Sequence, residues 1–241
     1  MRVDKPVSFQ RIIVEGNIGA GKSTFLRLLQ QTFSAQFVFE PHEEWQNIGG
    51  HNLLDNFYTD KERWAYTFQS YAFITRIRAD ERAQNSPFEF HILERSVYSD
   101  RYCFAKNCFE MGVMSPLEWK LYKEWFEWLM DNQSYTPDGF IYLQTDPEIC
   151  YQRMITRNRS EESTVSLEYI RMIHEKHENW LIKKENVSSY LKDVPVLILE
   201  CNADFEHNAQ EQEKHFSAIK NFFNIPTLSD NKIKNNCITT L

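Results

Sequence analysis

Five short apolar runs are separated along the chain by segments in which hydrophobic residues recur at helical spacing. The runs span residues 11–15, 37–40, 90–94, 140–144 and 196–200. Continuous apolar runs of this length are typical of strands buried on both faces, and helices between them connect parallel neighbours. The pattern therefore predicts an α/β fold, with a five-stranded parallel sheet that is covered by helices on both faces.

The first predicted strand leads into a glycine-rich segment that precedes a helix. Its sequence fits G-x-x-x-x-G-K-[ST], the phosphate-binding P-loop. The complete pattern and its two flanks favour this interpretation over an ordinary glycine-rich turn. The segment predicts a nucleoside triphosphate with Mg²⁺, in which Lys22 reaches the outer phosphates and Ser23 binds the metal. The predicted phosphate-binding positions are Gly16, Asn17, Gly19, Ala20, Gly21, Lys22, Ser23 and Thr24.

Charged residues stand where two further predicted strands end, and ligands of open parallel sheets bind beyond these carboxyl ends. Glu40 ends the second predicted strand, and a carboxylate there is suited to take a proton from a hydroxyl nucleophile. A solvated loop glutamate is an equal alternative. Glu94 ends the third strand beside Arg95, and we expect Glu94 to act with Mg²⁺ and Arg95 to contact a phosphoryl group and Glu40.

Two helical segments carry further candidates. After a polar connection predicted over 46–61, a helix near 62–83 places Gln69 and Arg76 on a face that suits the edge of a planar ligand. An exposed face is the simpler interpretation. After the fourth strand, Arg153, Arg157 and Arg159 suit a lid that closes over triphosphate oxygens. The alternative for these arginines is a basic helix end that complements the helix dipole.

Composition narrows the class of protein. The net charge of −7 argues against a broad nucleic-acid-binding surface, and no apolar run has the length of a membrane span. Five cysteines without metal-ligand spacing indicate free thiols. We expect a cytoplasmic protein, or a mitochondrial matrix protein whose transit peptide has been removed. Residues 1–226 are predicted to form one domain and residues 227–241 a polar, disordered tail.

Four segments together resemble the deoxyribonucleoside kinases: residues 15–24, 94–102, 142–147 and 177–181. The resemblance extends from about 11 to 224, and it is greatest for the deoxycytidine and deoxyguanosine kinase branch, especially the deoxyguanosine kinases. It implies a P-loop kinase fold with an arginine-bearing lid, ATP as phosphate donor, Mg²⁺, a deoxynucleoside substrate and a homodimer. A ring-rich helix that begins at 116 is either core or a dimer interface.

The resemblance also implies roles for individual residues. Glu40 is the general base for the sugar 5′-hydroxyl, Arg95 is its partner, and Ser23 and Glu94 hold Mg²⁺. Asp204 and Phe205 match the loop that contacts the adenine of the donor. The residues implied to bind the nucleoside are Trp45, Tyr58, Phe68, Gln69, Arg76, Arg95, Asp100, Phe104 and Glu162.

Substrate choice depends on Arg76 and Asp100, which match the charged pair of this branch and would fill the space of a thymine methyl group. The resemblance thus implies deoxyguanosine, deoxyadenosine or deoxycytidine, unranked, rather than thymidine. Three alternatives remain: a nucleoside monophosphate kinase, a nucleotide-dependent switch, and a catalytically silent accessory subunit. Hydroxyl-binding groups at Tyr58 and Glu162, the lack of an N-K-x-D segment and the retained Lys22 and Glu40 argue against them in turn.

Overall fold

One five-stranded sheet forms the centre of the part of the chain that the structure, a computed structural model, describes, namely residues 9–132 and 136–230. Its strands are β1 (Gln10–Glu15), β2 (Gln36–Val38), β3 (Phe90–Glu94), β4 (Gly139–Gln144) and β5 (Val196–Glu200). Their order is β2-β3-β1-β4-β5, and all neighbours are parallel. The predicted parallel α/β sheet is confirmed.

Helices connect the strands and cover both faces of the sheet. They are α1 (Lys22–Gln30), α2 (His42–Gln46), α3 (Leu53–Thr59), α4 (Lys61–Ala83), α5 (Val97–Ser99), α6 (Ala105–Glu110), α7 (Pro116–Asn132), α8 (Pro147–Arg157), α9 (Leu167–His177), α10 (Ser189–Lys192) and α11 (Ala209–Phe223). A π-helical segment, Asp100–Phe104, joins α5 to α6. Because helices lie on both faces, the side chains of the central strands β1, β3 and β4 are almost entirely buried.

The central position of β1 locates the site. The chain reaches β3 on one side of β1 and β4 on the other, so the connections leave the sheet in opposite directions at this point. Such a switch in strand order opens a crevice at the carboxyl edge of a parallel sheet. The loop after β1 and the residues after β3 and β4 therefore meet at one edge.

The predicted end of the second strand is wrong by two residues. β2 ends at Val38, and Glu40 lies in the loop beyond it. Phe39 and Glu40 continue the apolar run in sequence, but they have no partner in the β2–β3 ladder, which stops at Val38 opposite Leu93. Glu40 consequently belongs to a loop at the carboxyl edge, and its side chain is directed into the crevice rather than fixed by strand geometry.

The interpretation of 46–61 as a polar connection is also wrong, because this stretch contains helix α3. The Asn52 side chain caps α3 by accepting from the backbone N of Asp55 at 2.9 Å. The buried side of α3 packs on α4, where Phe57 stacks on Phe68 with ring centroids 4.7 Å apart. The short apolar piece in this stretch, Leu53 and Leu54, is the start of a buried helix face that also includes Phe57 and Tyr58.

Only the beginning of the predicted tail, residues 227–230, belongs to the described part of the chain. Thr227 forms a bridge with Phe33, and Asp230 accepts from the Thr227 backbone N at 2.9 Å and pairs with Lys220 at 2.9 Å. Residues 231–241, to which most of the tail prediction refers, lie outside the described residues. Among the helices in the described ranges, none has the length and apolar character needed to cross a membrane.

Candidate active site

A cavity of about 640 Å³ opens at the carboxyl edge of the sheet and is lined by most of the predicted site residues. Three predicted positions of the glycine-rich loop, Gly16, Asn17 and Ala20, are buried and do not line it. The predicted residues that do line it are Gly19, Gly21, Lys22, Ser23, Thr24, Glu40, Trp45, Tyr58, Phe68, Gln69, Arg76, Glu94, Arg95, Asp100, Phe104, Arg153, Arg157, Arg159, Glu162, Asp204 and Phe205.

The glycine-rich loop turns tightly between β1 and α1. Gly19 and Gly21 have φ angles of +79° and +89°, which favour glycine. Lys22 Nζ donates to the Asn17 carbonyl oxygen at 2.8 Å and is held over the loop. Burial, together with the positive charge of Arg95, lowers the pKa of Lys22 to about 7. Anionic phosphate oxygens in the loop would stabilise its charged form, which is the chemistry that this cradle supplies.

Replacing Gly19 with Ala is expected to lower the free energy of unfolding by about 3 kcal/mol or more, because strain and overlap add at this position. A Cβ there would overlap the carbonyl oxygen of Cys150. Gly49→Ala is the matched control: Gly49 also has a positive φ, but no atom of the described residues lies within 4 Å of the place that a Cβ would occupy. Gly49→Ala should lower the free energy of unfolding by only about 1–2 kcal/mol. Urea denaturation of both variants measures the difference, and equal losses would contradict the overlap argument.

A hydroxyl and a carboxylate meet at the edge of the loop. Ser23 Oγ donates to Glu94 Oε1 at 2.6 Å, and the Glu40 backbone N lies 3.4 Å from Glu94 Oε2. No cluster of three metal-ligating His, Cys, Asp or Glu side chains occurs within residues 9–132 and 136–230. Mg²⁺ fits such a sparse set, since it is commonly bound by one or two protein oxygens together with substrate phosphates and water.

Glu40 is the centre of a buried charge cluster. Its Oε1 pairs with Arg76 Nη2 and lies 3.5 Å from Arg95 Nε, while its Oε2 lies 2.9 Å from His42 Nε2. Burial alone would raise the pKa of Glu40, but Arg76, His42 and Arg95 hold it well below its usual value. The side chain is therefore ionised, which is the form that a general base requires.

Arg76 joins Glu40 to Asp100. One guanidinium nitrogen pairs with Glu40 and another with Asp100 Oδ1. Burial raises the pKa of Asp100 to about 6, although Arg76 opposes this shift. The expectation of an exposed face around Gln69 and Arg76 is wrong, because both side chains are buried in the cavity wall. Arg76, which is predicted to determine substrate specificity, thus also contacts Glu40, the predicted general base.

Arg95 follows β3 in a left-handed conformation, with φ of +59°. Its backbone N donates to the Val14 carbonyl at 3.0 Å, and its guanidinium lies over the Phe104 ring, 4.5 Å from the centroid. Its Nη1 is buried and has no hydrogen-bond partner among the described residues. This geometry directs a cation with unused donor capacity into the cavity, beside Glu40.

Behind Arg95, Glu15 is fully buried at the end of β1. Ser96 Oγ donates to its Oε1 at 2.7 Å, and burial raises the pKa of Glu15 to about 7. The folded protein therefore binds this proton more tightly than the unfolded chain does. This contribution to stability is present at low pH and is lost as the pH rises from the unfolded value towards and beyond 7.

Glu15→Gln should remove this pH dependence while keeping an acceptor for Ser96. We compare the free energy of unfolding of the variant with that of wild type at each pH. The difference in favour of the variant should be larger at pH 8 than at pH 5 by roughly 2–3 kcal/mol. Urea denaturation at both pH values measures the gain. Glu200→Gln, on an exposed residue at the end of β5, is the control. A Glu15→Gln difference that is the same at pH 5 and pH 8 would contradict the prediction.

Aromatic rings form a slot beside the charge cluster. Trp45 packs edge-on against Phe68 at 5.5 Å, and Phe104 lies against Arg95 on another wall. Gln69 is buried, its Nε2 lies 3.9 Å from Cys108 Sγ, and its Oε1 has no partner within the described part of the chain. Flat walls and one unpartnered amide oxygen suit a planar ring with a hydrogen-bonding edge.

The three predicted lid arginines do not share one direction. Arg153 donates to the carbonyl oxygens of residues 201–203 at 2.8–3.1 Å. Arg157 Nη2 lies 2.7 and 2.6 Å from the two oxygens of Glu162, and Arg159 Nη1 lies 3.6 Å from Glu162 Oε1. Tyr58 lines the same part of the cavity, where burial and Glu162 raise its pKa. The lid role stays a prediction.

The loop after β5 forms the other end of the cavity. Asp204 Oδ1 accepts from the backbone N of Glu206 at 2.9 Å and of His207 at 3.2 Å, which fixes the turn. Phe205 is buried edge-on against Phe25 at 5.4 Å, and a Cβ at Gly21 would lie 2.7 Å from its ring. The Phe205 ring thus closes directly on the phosphate loop.

A sequence model of the deoxynucleoside kinase family matches residues 12–224. The chain belongs to the deoxynucleoside kinase family. It is 39% identical to the mitochondrial deoxyguanosine kinase of Xenopus laevis over 91% of each chain. It is 43% identical to a probable deoxycytidine kinase of fowlpox virus over 88% of each chain, and 40% identical to human deoxycytidine kinase over 82% of this chain and 85% of the human chain.

Family membership makes the protein a phosphotransferase that phosphorylates deoxynucleosides and uses ATP as phosphate donor. The predicted family, its deoxycytidine and deoxyguanosine kinase branch and the P-loop kinase fold are confirmed. These similarities favour an enzyme over a catalytically silent accessory subunit or a nucleotide-dependent switch.

Sequence reasoning missed some cavity residues of this deoxynucleoside kinase, among them His42, Leu54 and Phe57. Leu54 and Phe57 belong to α3, whose apolar spacing was the available signal. His42 lies two residues after Glu40, and only the turn between them brings the two side chains together. No periodicity in the sequence indicates such a turn.

Proposed function

We propose that this kinase transfers the γ-phosphoryl group of ATP, with Mg²⁺, to the 5′-hydroxyl of deoxyguanosine, deoxyadenosine or deoxycytidine rather than thymidine. The observation that carries the proposal is the pairing of Arg76 with both Glu40 and Asp100. The guanidinium group of Arg76 joins Glu40, the proposed general base, to Asp100, a charged residue in the wall of the proposed nucleobase pocket.

In this mechanism Glu40 takes the proton of the 5′-hydroxyl, and the hydroxyl oxygen attacks the γ-phosphorus in line with the leaving oxygen of ADP. Lys22 and Arg95 neutralise the charge on the transferred group, and Arg95 contributes the nitrogen that has no hydrogen-bond partner among the described residues. Ser23 and Glu94 would hold Mg²⁺, which supplies charge neutralisation at the phosphates. Positioning and charge account for most of the catalysis.

The remaining residues are proposed to hold the nucleoside and the donor. Tyr58 and Glu162 bind the sugar 3′-hydroxyl, and Gln69 reads the base. Phe68 and Phe104 flank the base, and Trp45 forms a wall of the pocket. The proposed donor-binding residues are Arg153, Arg157, Arg159, Asp204 and Phe205. Two hydroxyl-binding side chains at the sugar end favour a nucleoside over a nucleoside monophosphate as acceptor.

Release of ADP, measured directly by chromatography with a panel of acceptors, tests the proposal. Deoxyguanosine, deoxyadenosine and deoxycytidine are compared with thymidine and with deoxycytidine monophosphate, with and without EDTA. We expect turnover with at least one of the first three, little with thymidine or the monophosphate, and loss of turnover in EDTA. Preference for thymidine or for the monophosphate would overturn the proposed substrate class.

We also propose a homodimer that buries the outer face of α7. Leu117, Leu121, Trp125 and Trp128 form one strip at helical spacing, and Leu117, Trp125 and Trp128 are each more than half exposed. Large apolar side chains in a contiguous exposed strip mark an interaction surface. The identical face of a second copy would cover it by two-fold symmetry.

Sedimentation of Trp125→Glu tests the homodimer. Wild type is expected to sediment as a dimer and the variant as a monomer. Phe222→Glu, on another exposed ring at α11, is the control and should stay dimeric. A monomeric wild type, or a variant that stays dimeric, would contradict the proposed interface.

A cytoplasmic location stays our expectation, with the mitochondrial matrix as the alternative because one relative is named as mitochondrial. Imaging of the tagged full-length protein in its own cells decides between them. The net charge of −7 continues to argue against nucleic acid as a partner.

A further inference from the structure

His42 lies directly against the proposed base. It begins α2, and its backbone N donates to the Glu40 carbonyl at 2.9 Å, so the chain turns back on itself. This turn brings His42 Nε2 to 2.9 Å from Glu40 Oε2. The Glu40 side chain is 4% exposed and that of His42 is 24% exposed, so a partly exposed imidazole contacts a buried carboxylate.

The two oxygens of Glu40 differ in their partners. Oε1 faces two guanidinium groups, since it pairs with Arg76 and lies 3.5 Å from Arg95 Nε. Oε2 instead lies against the imidazole of His42. A carboxylate oxygen has two lone-pair directions, and both directions at Oε1 are directed at cations. Oε2 is therefore the oxygen with a direction left for the hydroxyl proton, and His42 determines where that direction points.

The surroundings of His42 fix which nitrogen carries hydrogen. Nε2 lies 2.9 Å from Glu40 Oε2 and 3.5 Å from Arg159 Nη1. One ring nitrogen cannot donate to the carboxylate and accept from the guanidinium at once, and the shorter, charge-assisted contact to the carboxylate is the stronger. Nε2–H therefore donates to Oε2. The ring packs edge-on against Trp45 with centroids 5.1 Å apart, which sets its plane.

We propose that His42 is a positioning residue for phosphoryl transfer: its Nε2–H holds Glu40 Oε2 so that the remaining lone pair faces the 5′-hydroxyl. The inference rests on the proposed function, in which Glu40 is the general base. It adds a residue that acts through Glu40 without contacting the reacting atoms itself. The rate of general-base catalysis falls steeply when the base is not held in place, because the base must lie within hydrogen-bond distance of the proton that it removes.

Two substitutions separate hydrogen bonding from packing. His42→Gln keeps an N–H donor near the position of Nε2, whereas His42→Leu keeps similar bulk without a donor. We expect His42→Leu to lower kcat by about ten- to a hundredfold, the loss typical of one hydrogen bond to a charged group, with little change in nucleoside KM. His42→Gln should retain most of the activity. His51→Leu, at an exposed loop histidine, is the control.

Nucleoside binding and a second background complete the test. Calorimetric titration with deoxycytidine and deoxyguanosine should give similar affinities for His42→Leu and wild type. In a Glu40→Gln background, His42→Leu should cause no further loss, because the residue acts through the carboxylate. Equal kcat in the Leu and Gln variants, or a weakened affinity that accounts for the loss, would overturn the inference. A Glu40→Gln enzyme that turns over normally would instead overturn the proposed base.

Discussion

Replacement of Glu40 by Gln is expected to lower kcat at least about 10²-fold, the usual contribution of a positioned general base. Deoxynucleoside KM should change little. The amide keeps an oxygen for Arg76 and Arg95 and is nearly the same size, although its NH2 group takes the place of the oxygen that accepts from His42. Arg76, His42 and Arg95 hold the pKa of Glu40 well below its usual value, which favours the carboxylate form in wild type.

Steady-state ADP release at saturating ATP measures this prediction. Glu44→Gln is the matched control, because Glu44 lies on α2 four residues away and pairs with Arg82 at the surface at 2.8 Å. It should have wild-type kcat. Near-normal turnover of Glu40→Gln would refute the role of this carboxylate. A rise in KM that accounts for the whole effect would assign Glu40 to substrate binding instead.

The sheet and the P-loop were predictable because each depends on a short stretch of sequence. An apolar run of five residues suffices for a buried strand, and the loop pattern spans eight positions. The boundary of β2 was not, because Phe39 and Glu40 continue the run while the pairing with β3 stops at Val38, opposite Leu93. Strand length is set by the neighbour, which the local sequence does not contain.

The buried state of Gln69 and Arg76 required two elements that sequence analysis did not resolve. α3 packs across α4, and the helical stretch after Arg95 brings Asp100 onto Arg76. Periodicity showed that Gln69 and Arg76 share a face of α4, but it does not reveal what covers that face. Resemblance to a family supplied the pairing of Arg76 with Asp100, whereas the contact of Arg76 with Glu40 came from the structure.

The lid arginines illustrate the same limit at a smaller scale. Arg153 and Arg157 are one helical turn apart, so spacing places them on one side of α8. Their long side chains nevertheless follow different acceptors, namely the carbonyl oxygens after β5 and the carboxylate of Glu162. Helical spacing fixes Cβ positions, and the choice of partner for an arginine depends on tertiary neighbours.

Conversion of Arg76 to Met together with Asp100 to Ala is expected to admit thymidine. The double change removes a charged pair from the cavity wall and leaves room for a methyl group. We expect the ratio of kcat/KM for thymidine to that for deoxycytidine to rise by about 10–200-fold, the range typical of one methyl group in a pocket. Absolute kcat should fall, because Glu40 loses Arg76 and keeps only Arg95 and His42.

The double change is the informative variant because Arg76→Met alone has a second effect, and Asp100→Ala alone leaves Arg76 in the cavity wall. Arg76→Met alone leaves Asp100 buried without its cation, which costs stability whether the carboxyl group stays charged or takes up a proton. Asp100→Ala alone keeps the Arg76–Glu40 pair and serves as the control for catalysis, since its kcat with deoxycytidine should exceed that of the double variant. Assays of thymidine and deoxycytidine with the double variant and both single variants, each compared with wild type, test the prediction. If the double variant stays folded, binds deoxycytidine and gains nothing for thymidine, then the Arg76–Asp100 pair does not exclude the methyl group.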